Sequence, residues 1–227
     1  MANPRLGLLD LWNVTVIKKH LVGITGLLLV GFLVGHVTGN FLLFVGPEEY
    51  NKYGYFIVTN PIYPLISWGL IILMVLHAIM ALVLTWINKK ARPSGYKGTA
   101  TGPKNTGIVH RSLPAQGVLF IAFIVLHLLT FKYGEKIMVE YDGVVMRDLF
   151  SLVQSSFQQP LFVIWYVFCL FILMFHLGHG FSSSFQTLGF AHPKYKPGLD
   201  KVSKALALYV SLGFIAQPLY MFFIYKG

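Results

Sequence analysis

Five stretches of this chain carry no charged side chain: residues 20–47, 53–88, 112–131, 149–193 and 205–225. Each can cover the roughly 20 residues that cross the hydrocarbon core of a bilayer. Backbone in hydrocarbon must satisfy its own hydrogen bonds, so apolar runs of this length fold as helices there. The expectation is an all-α membrane protein: one domain over residues 1–227, with five transmembrane helices at about 20–45, 62–88, 113–133, 159–183 and 205–225. The fourth stretch exceeds one span. Its polar start, Gln154-Ser-Ser-Phe-Gln-Gln159, reads as an interfacial turn, and Pro160 suits a first helical turn. The first run is too long and too far from the start for a cleaved signal peptide.

Composition closes off other classes. Charged residues make up 11% and hydrophobic residues 56%, against about 25% charged in soluble domains. That excludes a soluble enzyme, a disordered chain and, despite a net charge of +10, a nucleic-acid binder. The single cysteine, Cys169, cannot form an internal disulfide, an iron–sulfur cluster or a zinc finger. No Cys-x-x-Cys-His occurs, so c-type haem attachment is excluded.

Orientation follows from where lysine and arginine fall. The N-terminal segment, the second loop and the fourth loop together hold 13 basic and 2 acidic residues, and the other side holds 5 basic and 6 acidic. The N-terminus is therefore expected inside and the C-terminus outside. The positive inner face also offers a docking surface for a soluble partner.

An ionisable side chain at membrane depth marks a functional site by default. His36, His77, His127 and His176 each lie within a different one of the first four spans, and the fifth span has none. His36 and His127 fall past the middle of outward-running helices. His77 and His176 fall past the middle of inward-running ones. The four thus sort by depth into an outer pair, His36 with His127, and an inner pair, His77 with His176. Neutral imidazoles from facing helices are a common way to hold a b-type haem in a bundle, so two pairs imply two b haems stacked across the bilayer. One buried histidine alone is as readily a structural hydrogen-bonding group. Four, matched in depth two by two, favour ligation. Gly31, Gly35 and Gly39 form a small-residue stripe beside His36, which ordinary helix packing explains as well. Gly180 follows His176 by one turn. His179 lies three residues from His176, and the deeper position of His176 favours it as the ligand.

The chain resembles the cytochrome b558 subunit of succinate dehydrogenase and fumarate reductase over essentially its whole length. The resemblance rests on Gly35-His36-Val37-Thr38-Gly39-Asn40, on Val75-Leu76-His77-Ala78-Ile79-Met80-Ala81 followed by Asn88-Lys89-Lys90-Ala91-Arg92-Pro93, on Arg111-Ser112-Leu113-Pro114 with Val125-Leu126-His127, and on Phe175-His176-Leu177-Gly178-His179-Gly180-Phe181 with Phe185-Gln186-Thr187-Leu188-Gly189. Order and spacing together carry it. The resemblance implies that the four axial ligands are His36, His77, His127 and His176, which selects His176 over His179. It also implies a complex in a bacterial cytoplasmic membrane. A flavoprotein subunit with FAD would interconvert succinate and fumarate, and an iron–sulfur subunit would pass electrons to the inner haem. The outer haem would exchange them with a quinone, menaquinone being expected. This chain would supply neither the dicarboxylate site nor the flavin and cluster sites.

Further candidates follow. Haem propionates need cations near the ends of the bundle, for which His20, His110, Arg111, His179 and Lys194 stand available. A quinone head group needs polar partners at the membrane edge, and Glu48 and Glu49, just before the second span, are the acids nearest the outer pair. Some two-haem fumarate reductases carry a glutamate two residues before the fourth-span ligand, used to move protons. Here that position is Met174, so succinate oxidation by menaquinone is expected to draw on the membrane potential and to be sensitive to an uncoupler. Two rival readings are a b-type anchor of another respiratory enzyme, of the hydrogenase or formate dehydrogenase kind, and a haem-free transporter using histidines as proton relays.

Overall fold

The computed structural model describes residues 14–91 and 108–225. Helix α1 (Thr15–Asn40) runs into a 3-10 turn (Phe41–Phe44) and then into a short helix α2 (Pro47–Thr59). Helix α3 spans Tyr63–Lys90, and α4 spans Ile108–His127 before passing into a π-helical turn over Leu128–Lys132. A hairpin of β1 (Met138–Tyr141) and β2 (Val144–Arg147) leads to α5 (Leu149–Phe157), and the chain finishes with α6 (Pro160–Thr187) and α7 (Lys196–Phe223).

Five segments are long and apolar enough to cross a membrane: Thr15–Phe44, Tyr63–Lys90, Arg111–Lys132, Pro160–Thr187 and Lys196–Phe223. The chain thus has the build of a multi-pass membrane protein. Leu65, Trp68, Trp86, Leu161 and Ile164 stand exposed on the flanks, Leu161 at 82%, as hydrocarbon-facing side chains must.

The helices outrun the charge-free stretches. α1 begins at Thr15 and contains Lys18 and Lys19, and α7 begins at Lys196 rather than near 205. Lysine is a good helix former, and its long stem lets a charge reach water from an apolar helix end. A charge therefore marks the membrane edge and not the end of the helix.

α1, α3, α4, α6 and α7 alternate in direction. The turns that follow α1 and α4 and precede α3 and α6 gather at one end of the bundle, where α2, the hairpin and α5 form a cap. The hairpin turns at Asp142-Gly143, both with positive φ (51° and 76°), as a two-residue primed turn requires. Its register pairs Met138 with Arg147 and Tyr141 with Val144. Asp148 then caps α5: its carboxylate accepts from Ser151 N at 3.0 Å, from Ser151 Oγ at 2.6 Å and from Asn51 Nδ2 at 2.9 Å. Fully buried Asn51 returns the link by accepting from Phe150 N at 2.9 Å. Residues 154–157 therefore belong to a helix and not to a turn. The turn falls at Gln158 and Gln159, after which Pro160 opens α6 as expected.

In lipid the hydrophobic effect does not hold helices together, so close packing and small residues must. α6 and α7 meet most extensively. Gly178 faces Ala207, and Ser203 Oγ donates to the Gly178 carbonyl at 2.7 Å. One apolar cluster joins Val30 and Val37 of α1, Leu177 of α6, and Ala207 and Val210 of α7. A second, at the cap end, gathers Leu43, Phe150, Val153, Phe157, Val163, Tyr166, Leu170 and Met221.

Candidate functional site: paired histidines inside the bundle

The bundle brings His36 of α1 and His127 of α4 together. Their ring centroids lie 6.0 Å apart with the planes at 84°. Aromatic rings surround the pair: Phe32 stacks on His36 at 5.2 Å, Phe214 of α7 approaches it at 5.3 Å, and Phe123 and Phe131 flank His127 at 6.0 and 5.2 Å. His77 of α3 and His176 of α6 lie at a second level. His77 meets Thr25 of α1, and Phe120 of α4 presents its edge to His176 at 5.1 Å.

Two helices measure the separation of these levels. Thr25, which contacts His77, and His36 are eleven residues apart on α1, about 16 Å at 1.5 Å per residue. Tyr166, which contacts His127, and His176 are ten residues apart on α6, about 15 Å. The agreement places the four histidines in two layers along the bundle axis, with the His36 layer nearer the cap.

Three of the four rings are held through Nδ1. His77 Nδ1 lies 3.0 Å from Thr25 Oγ1, and His127 Nδ1 lies 3.2 Å from Tyr166 OH. His36 Nδ1 lies 3.1 Å from the Asn40 amide, which also donates to the His36 carbonyl at 2.8 Å and accepts from Tyr50 OH at 2.9 Å. The His36 carbonyl can only accept, so Nδ2 is the amide atom turned toward the ring and His36 Nδ1 accepts from it. His176 Nδ1 is buried with no hydrogen-bond partner, as are Gln116 Oε1, Trp165 Nε1 and Ser211 Oγ.

These residues fit a haem iron. His36 and His127 would supply two imidazoles, with ring centroids 6.0 Å apart, to an iron held between them. All four histidines are half-buried. A Cβ added at Gly31, Gly35 or Gly180 would meet nothing within 4 Å. Gly39 differs from its stripe partners, because a Cβ there would run into the ring of Tyr53. The stripe is thus part open surface and part close packing. Among the described residues no three His, Cys, Asp or Glu side chains gather as a metal site. Haem iron needs only two protein donors.

The remaining candidates scatter. His20 Nδ1 bonds back to the Val16 carbonyl at 2.8 Å. His110 falls in the first turn of α4, and its side chain lies outside the described part. Arg111 is exposed, and so is Lys194, whose ammonium lies 5.5 Å over the ring of Tyr195. His179 lines a crevice of about 210 Å³ between α6 and α7 with Ser182, Lys196 and Asp200. Glu48 and Glu49 do not immediately precede α3. They open the separate helix α2, where both are exposed. Glu48 is paired with Lys52 at 2.6 Å, and Lys52 also holds Asp142 at 2.6 Å. The Asp142 and Glu48 carboxylates push the Lys52 ammonium up from its ordinary range. The residue of α2 that is linked to His36 is Tyr50, through Asn40.

Sequence reasoning missed Thr25, Tyr166 and Tyr50. Thr25 and Tyr166 lie 52 and 39 residues from the histidines they contact, and no local spacing signals them. Asn40 was findable, standing four residues after His36 on the same helical face.

Fold and site together define a multi-pass helical membrane protein with paired histidines at two levels of its interior. Comparison of the chain with protein-family models, with curated proteins and with solved structures finds no match.

Proposed function

We propose that the protein is the two-haem membrane-anchor subunit of a succinate:quinone oxidoreductase, carrying electrons between an iron–sulfur partner and a membrane quinone. The observation that carries this reading is the convergence of four histidines from four helices into two layers about 15 Å apart. The sequence resemblance supplies the identity of the partners, a flavoprotein with FAD and an iron–sulfur subunit, and menaquinone as the quinone.

In this reading His36 and His127 hold one b haem and His77 and His176 the other. Bound there, the two haems supply one-electron carriers at two depths. The chain's own residues do the rest. Thr25 and Tyr166 would orient two of the imidazoles through Nδ1, as groups beyond the ligands do at other metal sites. Phe32, Phe120, Phe123, Phe131 and Phe214 exclude water around them. Charge asymmetry sets the N-terminus and the His77 layer inside, and the cap and the His36 layer outside, in a bacterial cytoplasmic membrane. With the haems bound, electrons would enter at the inner layer and leave toward a quinone near the cap. With Glu48 committed to Lys52, Tyr50 is the better-placed polar side chain beside the outer pair.

The purified complex tests this directly. A dithionite-reduced spectrum and haem quantitation are expected to give two b haems per chain, with quinone-linked succinate oxidation or fumarate reduction in the assembled enzyme. A colourless chain would leave the transporter reading, and two haems without dicarboxylate activity would leave the other respiratory anchors.

A further inference from the structure

Thr25 carries one hydroxyl proton and stands among three acceptors. Its Oγ1 lies 2.6 Å from the Leu21 carbonyl, 3.2 Å from the Val22 carbonyl and 3.0 Å from His77 Nδ1. Carbonyl oxygens can only accept, and the shortest of these contacts goes to one, so the hydroxyl proton is committed to its own helix. The oxygen can then meet His77 only as an acceptor. The proton between them belongs to the ring, on Nδ1. A neutral imidazole has one N–H, so Nε2 keeps its lone pair. Gly26 allows the close approach: a Cβ there would lie 3.2 Å from His77 Cε1 and 3.7 Å from Nδ1, so the ring would have to give by a few tenths of an ångström. Thr25 is itself buried, at 4% exposure, so water does not compete for the contact.

We propose that Thr25 is a positioning residue that fixes His77 as the Nδ1–H tautomer and so leaves Nε2 as the nitrogen that binds iron. The proposal rests on the haem reading above. Because the hydroxyl accepts from Nδ1–H, it raises the basicity of the ligand, which favours the oxidised iron. Removing the hydroxyl is expected to raise the midpoint potential of the His77 haem and leave the other haem where it was.

The test uses the full complex in its membrane, with potentiometric titration of the haem absorbance and low-temperature electron paramagnetic resonance. Thr25→Val removes the hydroxyl at nearly constant shape, and Thr25→Ala serves as a second hydroxyl-free variant should the first fail to assemble. Thr25→Ser keeps the hydroxyl. The expected result is an upward shift of one midpoint potential, that of the haem lost on replacing His77, with a changed resonance for that haem alone and recovery of both in Thr25→Ser. Wild-type potentials and resonances for both haems in an assembled hydroxyl-free variant would overturn the proposal and leave the haem reading standing. A wild-type complex without haem would overturn the haem reading itself.

Discussion

His127 and Tyr166 face each other across α4 and α6, with the imidazole Nδ1 3.2 Å from the phenol oxygen. Phe123, Phe131, Phe157 and Phe162 pack around the phenol, the last with ring centroids 4.6 Å away. Tyr166→Phe keeps this packing and takes only the hydroxyl. Leaving one buried polar atom unpaired costs about 1–3 kcal/mol. The variant is expected to melt earlier in detergent and to retain less of the His36–His127 haem, with the other haem unchanged. Thermal unfolding and the reduced spectrum read both effects.

The layering makes a prediction about grouping. Replacing His36 or His127 by alanine is expected to remove the same haem, and replacing His77 or His176 the other, each variant keeping half of the haem absorbance. A variant set that grouped in any other way would separate the ligands differently from the geometry. The measurement is haem quantitation with a redox titration that identifies the survivor.

Asp148 gives the cap a pH dependence. Burial pushes its carboxyl up, but hydrogen bonds from Ser151 and Asn51 outweigh burial and hold it below the usual range. A carboxylate depressed in the folded state stabilises above its unfolded value of about 3.9, and that contribution is lost as pH falls through the folded value. The cap should therefore loosen below about pH 4. Asp148→Asn keeps an N-cap acceptor without titrating, so hydrogen exchange across α5 should lose this component of its pH dependence.

Gly213 on α7 is where that helix crosses α1. A Cβ there would stand 2.7 Å from Val37 Cγ2 and 2.9 Å from Phe41 Cζ, and Val37 is fully buried. Overpacking a closed site of this kind costs about 1–3 kcal/mol. Gly213→Ala is expected to lower the melting temperature. Gly198→Ala, at a position open to space, provides the control.

The five spans were legible because charge-free runs of 20 or more residues dominate any local signal. Position along a helix gives depth, and His36 and His127, expected at one depth, do meet. Helix α2 was not legible, because Tyr53–Thr59 is apolar enough to merge with the span that follows it. The hairpin carried a readable Asp142-Gly143 turn, but strands of four residues show too little alternation to stand out. Glu48 and Glu49 were misplaced relative to α3 for the same reason as α2. The contacts of Thr25 and Tyr166 depend on which helices become neighbours, and periodicity within one helix does not contain that.

Helix α7 brings no histidine, yet Phe214 touches His36 and its Ala207 and Val210 lie in the cluster with Leu177 beside His176. The spacing between the two layers is thereby braced by a strut that carries none of the four histidines. Such a division of labour lets the rigidity of the interior be adjusted by substitutions that leave every imidazole in place.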